Sequence, residues 1–294
     1  MLALYSFFCT LILTAPLVFF LKKIKSLQTE REEGPQSHKI KSGTPTMGGL
    51  GFVAVIAFLG FLFLPDQFHP LLLLFLGFGA IGFLDDFLKI LRKKNEGLTF
   101  WQKIILQIIF ASVFSFFVPE TFNLFYFLFC LFIIVGGANA ANLTDGLDGL
   151  LSGSAIIGFA AFGYILTMQG FMEGALFAFI VAGALLGFLP YNFPKARVFM
   201  GDVGSLPLGA VLAGLAILTG NELLLIPISA LFIIEALSVI IQVASFKFFK
   251  KRVFKMSPLH HHFEILGWSE KRVVFLFWEI ELIFCLVGVL IVAL

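Results

Sequence analysis

Asn142, Asp145 and Asp148 stand three residues apart in the run ANLTDGLDGL, with Asp-Gly steps at 145/146 and 148/149 and long apolar sequence on either side. Taking an unpaired carboxylate out of water is costly, so acids beside a bilayer are paired, metal-bound or turned to water. The plain alternative is an exposed turn whose Asp side chains satisfy nearby backbone N–H groups. Asp85 and Asp86 end another apolar run, in LDDFLK. Adjacent carboxylates repel, which calls for a divalent cation between them or a general-base role for one. An ordinary acidic helix end beside Lys89, Arg92 and Lys93 would also account for the pair.

A third acid, Asp202, lies in GDVGS, with Ser205 predicted as a helix N-cap and Pro207 in the first turn. Helix N-termini attract phosphate, and an acid there is most useful if it holds Mg²⁺ against that phosphate. His260, His261 and His262 follow Ser257-Pro258 in a long basic loop. Three consecutive His cannot face one point, which argues against a three-His zinc site and for hydrogen bonds to phosphate or sugar. Lys39, Lys41, Lys89, Lys93, Lys103, Lys195 and Arg197 suit an anionic ligand, although some of them only set topology. Leu237 to Lys255 turns from apolar to basic, like an interfacial amphipathic helix, with Gln242 as its notable uncharged polar residue.

These residues need a membrane scaffold. The chain of 294 residues is 60% hydrophobic and only 13% charged, with a mean hydropathy of +1.02, far from the balance of a soluble domain. Apolar segments run at about 2–21, 47–64, 70–88, 101–118, 122–138, 150–169, 174–190, 205–220, 223–246 and 272–294, which predicts roughly ten helical spans in one polytopic domain over 1–294. Lys and Arg fall only in alternate loops, at 22–41, 89–103, 195–197 and 247–272, while Asp66, Glu120, Glu173 and Glu222 occupy the opposite ones. The positive-inside rule then puts both termini outside and every polar motif on the cytoplasmic face. Cys9, Cys130 and Cys285 lie far apart in apolar runs and read as small buried hydrophobes. Glu235, Glu279 and Glu281 lie within apolar segments and call for partners that the sequence does not name.

Taken in order, KSGTPTMGG, LDDFLK, NLTDGLDGL, GDVGS and PLHHHFE resemble the motifs of the polyprenyl-phosphate N-acetylhexosamine-1-phosphate transferases, over nearly the whole chain. KSGTPTMGG and PLHHHFE point to the branch that handles muramoyl-pentapeptide. The resemblance implies an all-α, ten-helix, often dimeric enzyme of the bacterial inner membrane with a cleft facing the cytoplasm. It would transfer phospho-MurNAc-pentapeptide from UDP-MurNAc-pentapeptide to undecaprenyl phosphate with Mg²⁺, giving lipid I and UMP for peptidoglycan; no nucleic-acid partner is expected. Carried over by motif, Asp85, Asp86, Asp202 and His261 are the catalytic candidates and Asp202 the metal ligand. Lys41, Lys89, Lys93, Lys103, Asn142, Asp145, Asp148, Asn192, Ser205, Gln242, His260 and His262 are the substrate-binding candidates. Two rival readings are a secondary transporter, which would place polar residues at the bilayer midplane, and a sibling enzyme that uses UDP-GlcNAc.

Overall fold

The computed structural model describes residues 1–24, 43–92, 96–118 and 123–294, and among them every regular element is helical. In chain order these are α1 (Leu2–Lys23), α2 (Gly49–Phe63), α3 (His69–Arg92), α4 (Phe100–Ser115), α5 (Leu124–Thr144), α6 (Leu150–Met168), α7 (Met172–Asn192), α8 (Asp202–Leu218), α9 (Leu225–Ile228), α10 (Ala230–Phe249), α11 (Leu259–Ile265) and α12 (Glu270–Ala293). Among the described residues seven stretches are long and apolar enough to cross a bilayer: α1, α3 with the 3-10 turn before it, α5, α6, α7, α10 and α12. Three shorter apolar helices, α2, α4 and α8, lie among them. The chain is a multi-pass membrane protein.

At the centre stands α8, in which every residue from Val203 to Ile217 is buried. It packs chiefly against α3 and α5, while α7 binds α1 and α6 together and α12 closes over α6. Gly, Ala and Ser occupy much of α8, and small residues of this kind let helices approach closely where no hydrophobic drive separates protein from lipid. Cys130 and Cys285 are buried as predicted, but Cys9 lies on the exposed surface of α1.

The ninth apolar segment is broken at Ser229, between α9 and α10. A helix start leaves backbone N–H groups without intrahelical partners, and in a membrane water cannot supply them. Glu281 on α12 meets this need: its Oε2 accepts the Leu231 N–H at 2.8 Å, in the first turn of α10. Asp86 serves α8 in the same way, accepting the Val203 N–H at 3.2 Å where the N-cap residue, Gly201, has no side chain to offer. Buried acids on one helix thus cap the beginning of another.

Candidate active site

Asp85 and Asp86 end the apolar part of α3 and face the first residue of α8, Asp202. Oxygens of the three carboxylates lie within 4.8 Å of one another. Two glycines make that approach possible. A Cβ on Gly82 would run into the Asp202 carbonyl, and one on Gly201 into the Asp86 carboxylate; Gly201 also has a φ of 73°, which other residues rarely adopt. The α8 helix begins at Asp202, three residues earlier than the predicted Ser205 cap, because Gly201 turns the chain and Asp86 supplies the capping acceptor from outside.

Two lysines hold the acids. Lys89, one turn beyond the pair on α3, lies 2.6 Å from Asp85 Oδ2, 3.5 Å from Asp86 Oδ1 and 3.6 Å from Asp202 Oδ1. Lys103 approaches from α4, 2.6 Å from Asp202 Oδ2 and 3.2 Å from Asp85 Oδ1. Its position follows from local sequence: Thr99 and Gln102 form a reciprocal capping box that starts α4, which sets Lys103 in the first turn. The approach to α4 is tied back to α3, since Asp85 Oδ1 accepts the Leu98 N–H at 2.9 Å and Arg92 donates to the Gly97 carbonyl at 2.8 Å. Asn142, in the last turn of α5, donates to Asp202 Oδ1 at 2.9 Å and lies 2.8 Å from Ser205 Oγ. Among the described residues three carboxylates meet two lysines here, and a donor set of carboxylate oxygens is what Mg²⁺ prefers.

The rest of the motif does something else. From Asp145 to Gly149 the chain turns between α5 and α6, and neighbours grip that turn from several sides. Glu270 on α12 accepts the Asp148 N–H at 2.8 Å; Asp148 Oδ2 accepts the Ala196 N–H at 2.8 Å in the α7–α8 link. Asn192 accepts from the Gly149 N–H at 3.2 Å and from the Ser152 hydroxyl, and donates to the Val198 carbonyl at 3.1 Å. Trp278 Nε1 lies 3.2 Å from the Gly149 carbonyl. Asp148 and Asn192 are both buried, and they bind the turn to the link that delivers Asp202. The same link is paired with the TPTMGG segment, through Phe199 N–H to Pro45 O and Gly48 N–H to Phe199 O, both at 2.9 Å.

The three histidines lie on α11 and point three ways. His260 is buried with Nδ1 3.3 Å from Glu235 Oε1, His261 Nδ1 is 2.8 Å from Glu264 Oε2, and His262 Nδ1 accepts the Lys255 N–H at 3.1 Å. Gln242 holds the loop before them, its Oε1 accepting from Val253 and Phe254 N–H, each at 3.0 Å, and its Nε2 donating to the Phe254 carbonyl, also at 3.0 Å. So Asp85, Asp86, Lys89, Lys103, Asn142, Asp202 and Ser205 come together, whereas Asp148, Asn192, Gln242 and His260 make protein contacts around them. Lys41 and Lys93 lie outside the described residues. Glu235, Glu264, Glu270 and Trp278 were not among the candidates; only Glu235 had a sequence signal, as an acid in an apolar run.

Residues 68–220, which hold all three clustered acids, match the glycosyl transferase family 4 pattern. Over 306 aligned residues the chain is 47% identical to the phospho-N-acetylmuramoyl-pentapeptide-transferase of Anoxybacillus flavithermus and 49% to that of Geobacillus thermodenitrificans, covering 97% of this chain and 94% of each relative. Against the Bacillus subtilis protein of the same name it is 47% identical, with 97% and 95% covered. Identity of that depth over almost the full length, on a chain whose matched segment carries the acid and lysine cluster, makes this protein a member of the phospho-N-acetylmuramoyl-pentapeptide-transferase family.

Proposed function

We propose that the cluster around Asp202 is the site at which this chain transfers phospho-MurNAc-pentapeptide from UDP-MurNAc-pentapeptide to undecaprenyl phosphate, forming lipid I and UMP in peptidoglycan synthesis. Family membership supports the reaction. The geometric support is the convergence of three acids and two lysines from α3, α4 and α8. Phosphoryl transfer needs little covalent chemistry from a protein; alignment and neutralisation of charge do most of the work.

Asp202, with Asp86 beside it, is assigned to Mg²⁺, which leaves the third acid of the cluster, Asp85, available as a base. When bound, the ion supplies charge neutralisation on the diphosphate. Lys89 and Lys103 neutralise the acids as they stand, and each has a flexible stem that lets it turn onto phosphate oxygens instead. Asn142 keeps Asp202 oriented. Asp85 is assigned the proton of undecaprenyl phosphate. Because its Oδ2 is 2.6 Å from Lys89, that role begins once Lys89 moves to the donor, which couples donor binding to release of the base. The lipid phosphate oxygen then attacks the sugar-side phosphorus, and its bond to UMP breaks. A labelled phosphosugar trapped on the protein without lipid acceptor would replace this single step by a covalent aspartyl intermediate.

His261, held by Glu264, is assigned to the donor along with Asp145, Lys41, Lys93 and His262. The three shorter helices complete ten spans in one domain: at 1.5 Å per residue, the 17 residues of α8 reach about 26 Å. Both termini are assigned to the outside and the cluster to the cytoplasmic face of the inner membrane, because α3 and α4 meet at the basic loop of residues 89–103. The enzyme is read as a homodimer. The test supplies purified protein with undecaprenyl phosphate, Mg²⁺ and either labelled UDP-MurNAc-pentapeptide or labelled UDP-GlcNAc. Lipid I from the first donor alone is the expected result; product from the second would move the chain to the sibling class, and product from neither would favour transport.

A further inference from the structure

Glu235 and Glu281 are both wholly buried acids in apolar helices, outside the cluster. Glu281 is accounted for by the start of α10. Glu235 does more than cap. Its Oε2 accepts the Leu259 N–H at 2.7 Å and its Oε1 the His260 N–H at 3.2 Å, which completes the first turn of α11, where Pro258 offers no side-chain acceptor. The same Oε1 is 3.3 Å from His260 Nδ1. That approach is close proximity without hydrogen-bond geometry, and it leaves Nε2 on the far side of the ring. His260 is 1% exposed, and its Nε2 has no hydrogen-bond partner among the described residues. That nitrogen abuts Gly146, where a Cβ would overlap it.

Gly146 follows Asp145 in the α5–α6 turn. The far half of the turn is held by Glu270, Asn192 and Trp278, which bond at residues 148–150. His260 meets the Asp145 end, at Gly146. We infer that Glu235 is a positioning residue for the transferase: through His260 it sets the Asp145–Gly146 step and with it the place of Asp145 at the donor site. The inference rests on the reading of this site as one for a UDP-linked sugar. It also explains why an acid is carried inside an apolar helix, since the cost of burying it is offset by two backbone donors.

The experiment is steady-state kinetics of the full chain in detergent, with UDP-MurNAc-pentapeptide varied at saturating undecaprenyl phosphate and Mg²⁺. Glu235→Gln keeps the shape but loses one acceptor. It should raise the donor KM about tenfold while kcat stays within about threefold, a split that simple loss of folded protein would not produce. Half-saturation by Mg²⁺ should not move. Gly146→Ala pushes on the same contact from the other side and should give the same split, and the double variant should be no worse than the weaker single, because the two changes break one interaction. An unchanged KM in Glu235→Gln, or effects that multiply in the double variant, would overturn the inference. If Glu235→Gln fails to accumulate, Gly146→Ala decides alone on the same KM criterion. Failure of the functional reading shows elsewhere, as absence of lipid I from the unsubstituted protein.

Discussion

Around Asp202 both ends of most polar contacts are charged side chains, whereas around Gly149 at least one end is nearly always backbone. The regions adjoin, for α5 contributes Asn142 to the first and ends in the second. Their difference bears on function. Ion pairs between flexible lysines and carboxylates exchange readily for a metal ion and phosphate oxygens. Hydrogen bonds to a buried main chain have nothing to exchange with, so they hold shape. On the proposed function, one polar region would be rearranged by substrate and the other would stay fixed while that happens.

The largest effects should come from the exchangeable side. Asp202→Ala should lower lipid I formation at least about 10²–10³-fold, the loss typical of a group that stabilises transition-state charge, while the protein still inserts and extracts intact. Near-normal turnover would remove Asp202 from the centre. Chelation should silence the enzyme and added Mg²⁺ restore it, with Ca²⁺ a poor substitute because it favours more ligands at longer distances. Lys103→Ala should cost roughly 10²-fold, and Lys103→Arg should recover only part of that, since a planar fork does not replace a compact ammonium 2.6 Å from Asp202.

The fixed side should answer in stability. Asn192→Ala removes three hydrogen bonds around the turn and should destabilise by about 1–3 kcal/mol, read as a lower Tm in detergent. The kcat of the protein that remains folded should stay within about fivefold of the parent. A fall in kcat as large as that of Asp202→Ala at unchanged Tm would erase the distinction between the regions. The smallest effect is expected from Gln242→Ala, which frees residues 253–254 and should show mainly as faster proteolysis of that loop.

How much of this was legible beforehand differs by residue. The helices lie close to the apolar runs, because twenty or so residues without charge have few ways to satisfy their backbone in lipid. Asp85, Asp86 and Asp202 could be marked as a set only by resemblance, as 116 positions separate Asp86 from Asp202 and no local pattern links them. Lys103 could be marked only by resemblance, and its 2.6 Å contact with Asp202 depends on how the capped start of α4 packs against α8. The break at Ser229 is not legible in the segment 223–246, where Pro227 is the one local hint and the acceptor that permits the break, Glu281, lies on another helix. Asp145 and Asp148 read alike in NLTDGLDGL, yet Asp148 is buried and its Oδ2 accepts the Ala196 N–H.

By itself the sequence determined the membrane class, the positions of nearly all helices and which polar motifs belong to one face. Those properties depend on hydrophobicity and loop charge, which act along the chain. Only the tertiary structure decided which polar residues form the rearrangeable centre and which brace it. That division depends on who supplies the partner for each carboxylate, amide and imidazole, and the partners are on other helices, brought within 3 Å by glycine-lined contacts such as that between Gly82 and Asp202.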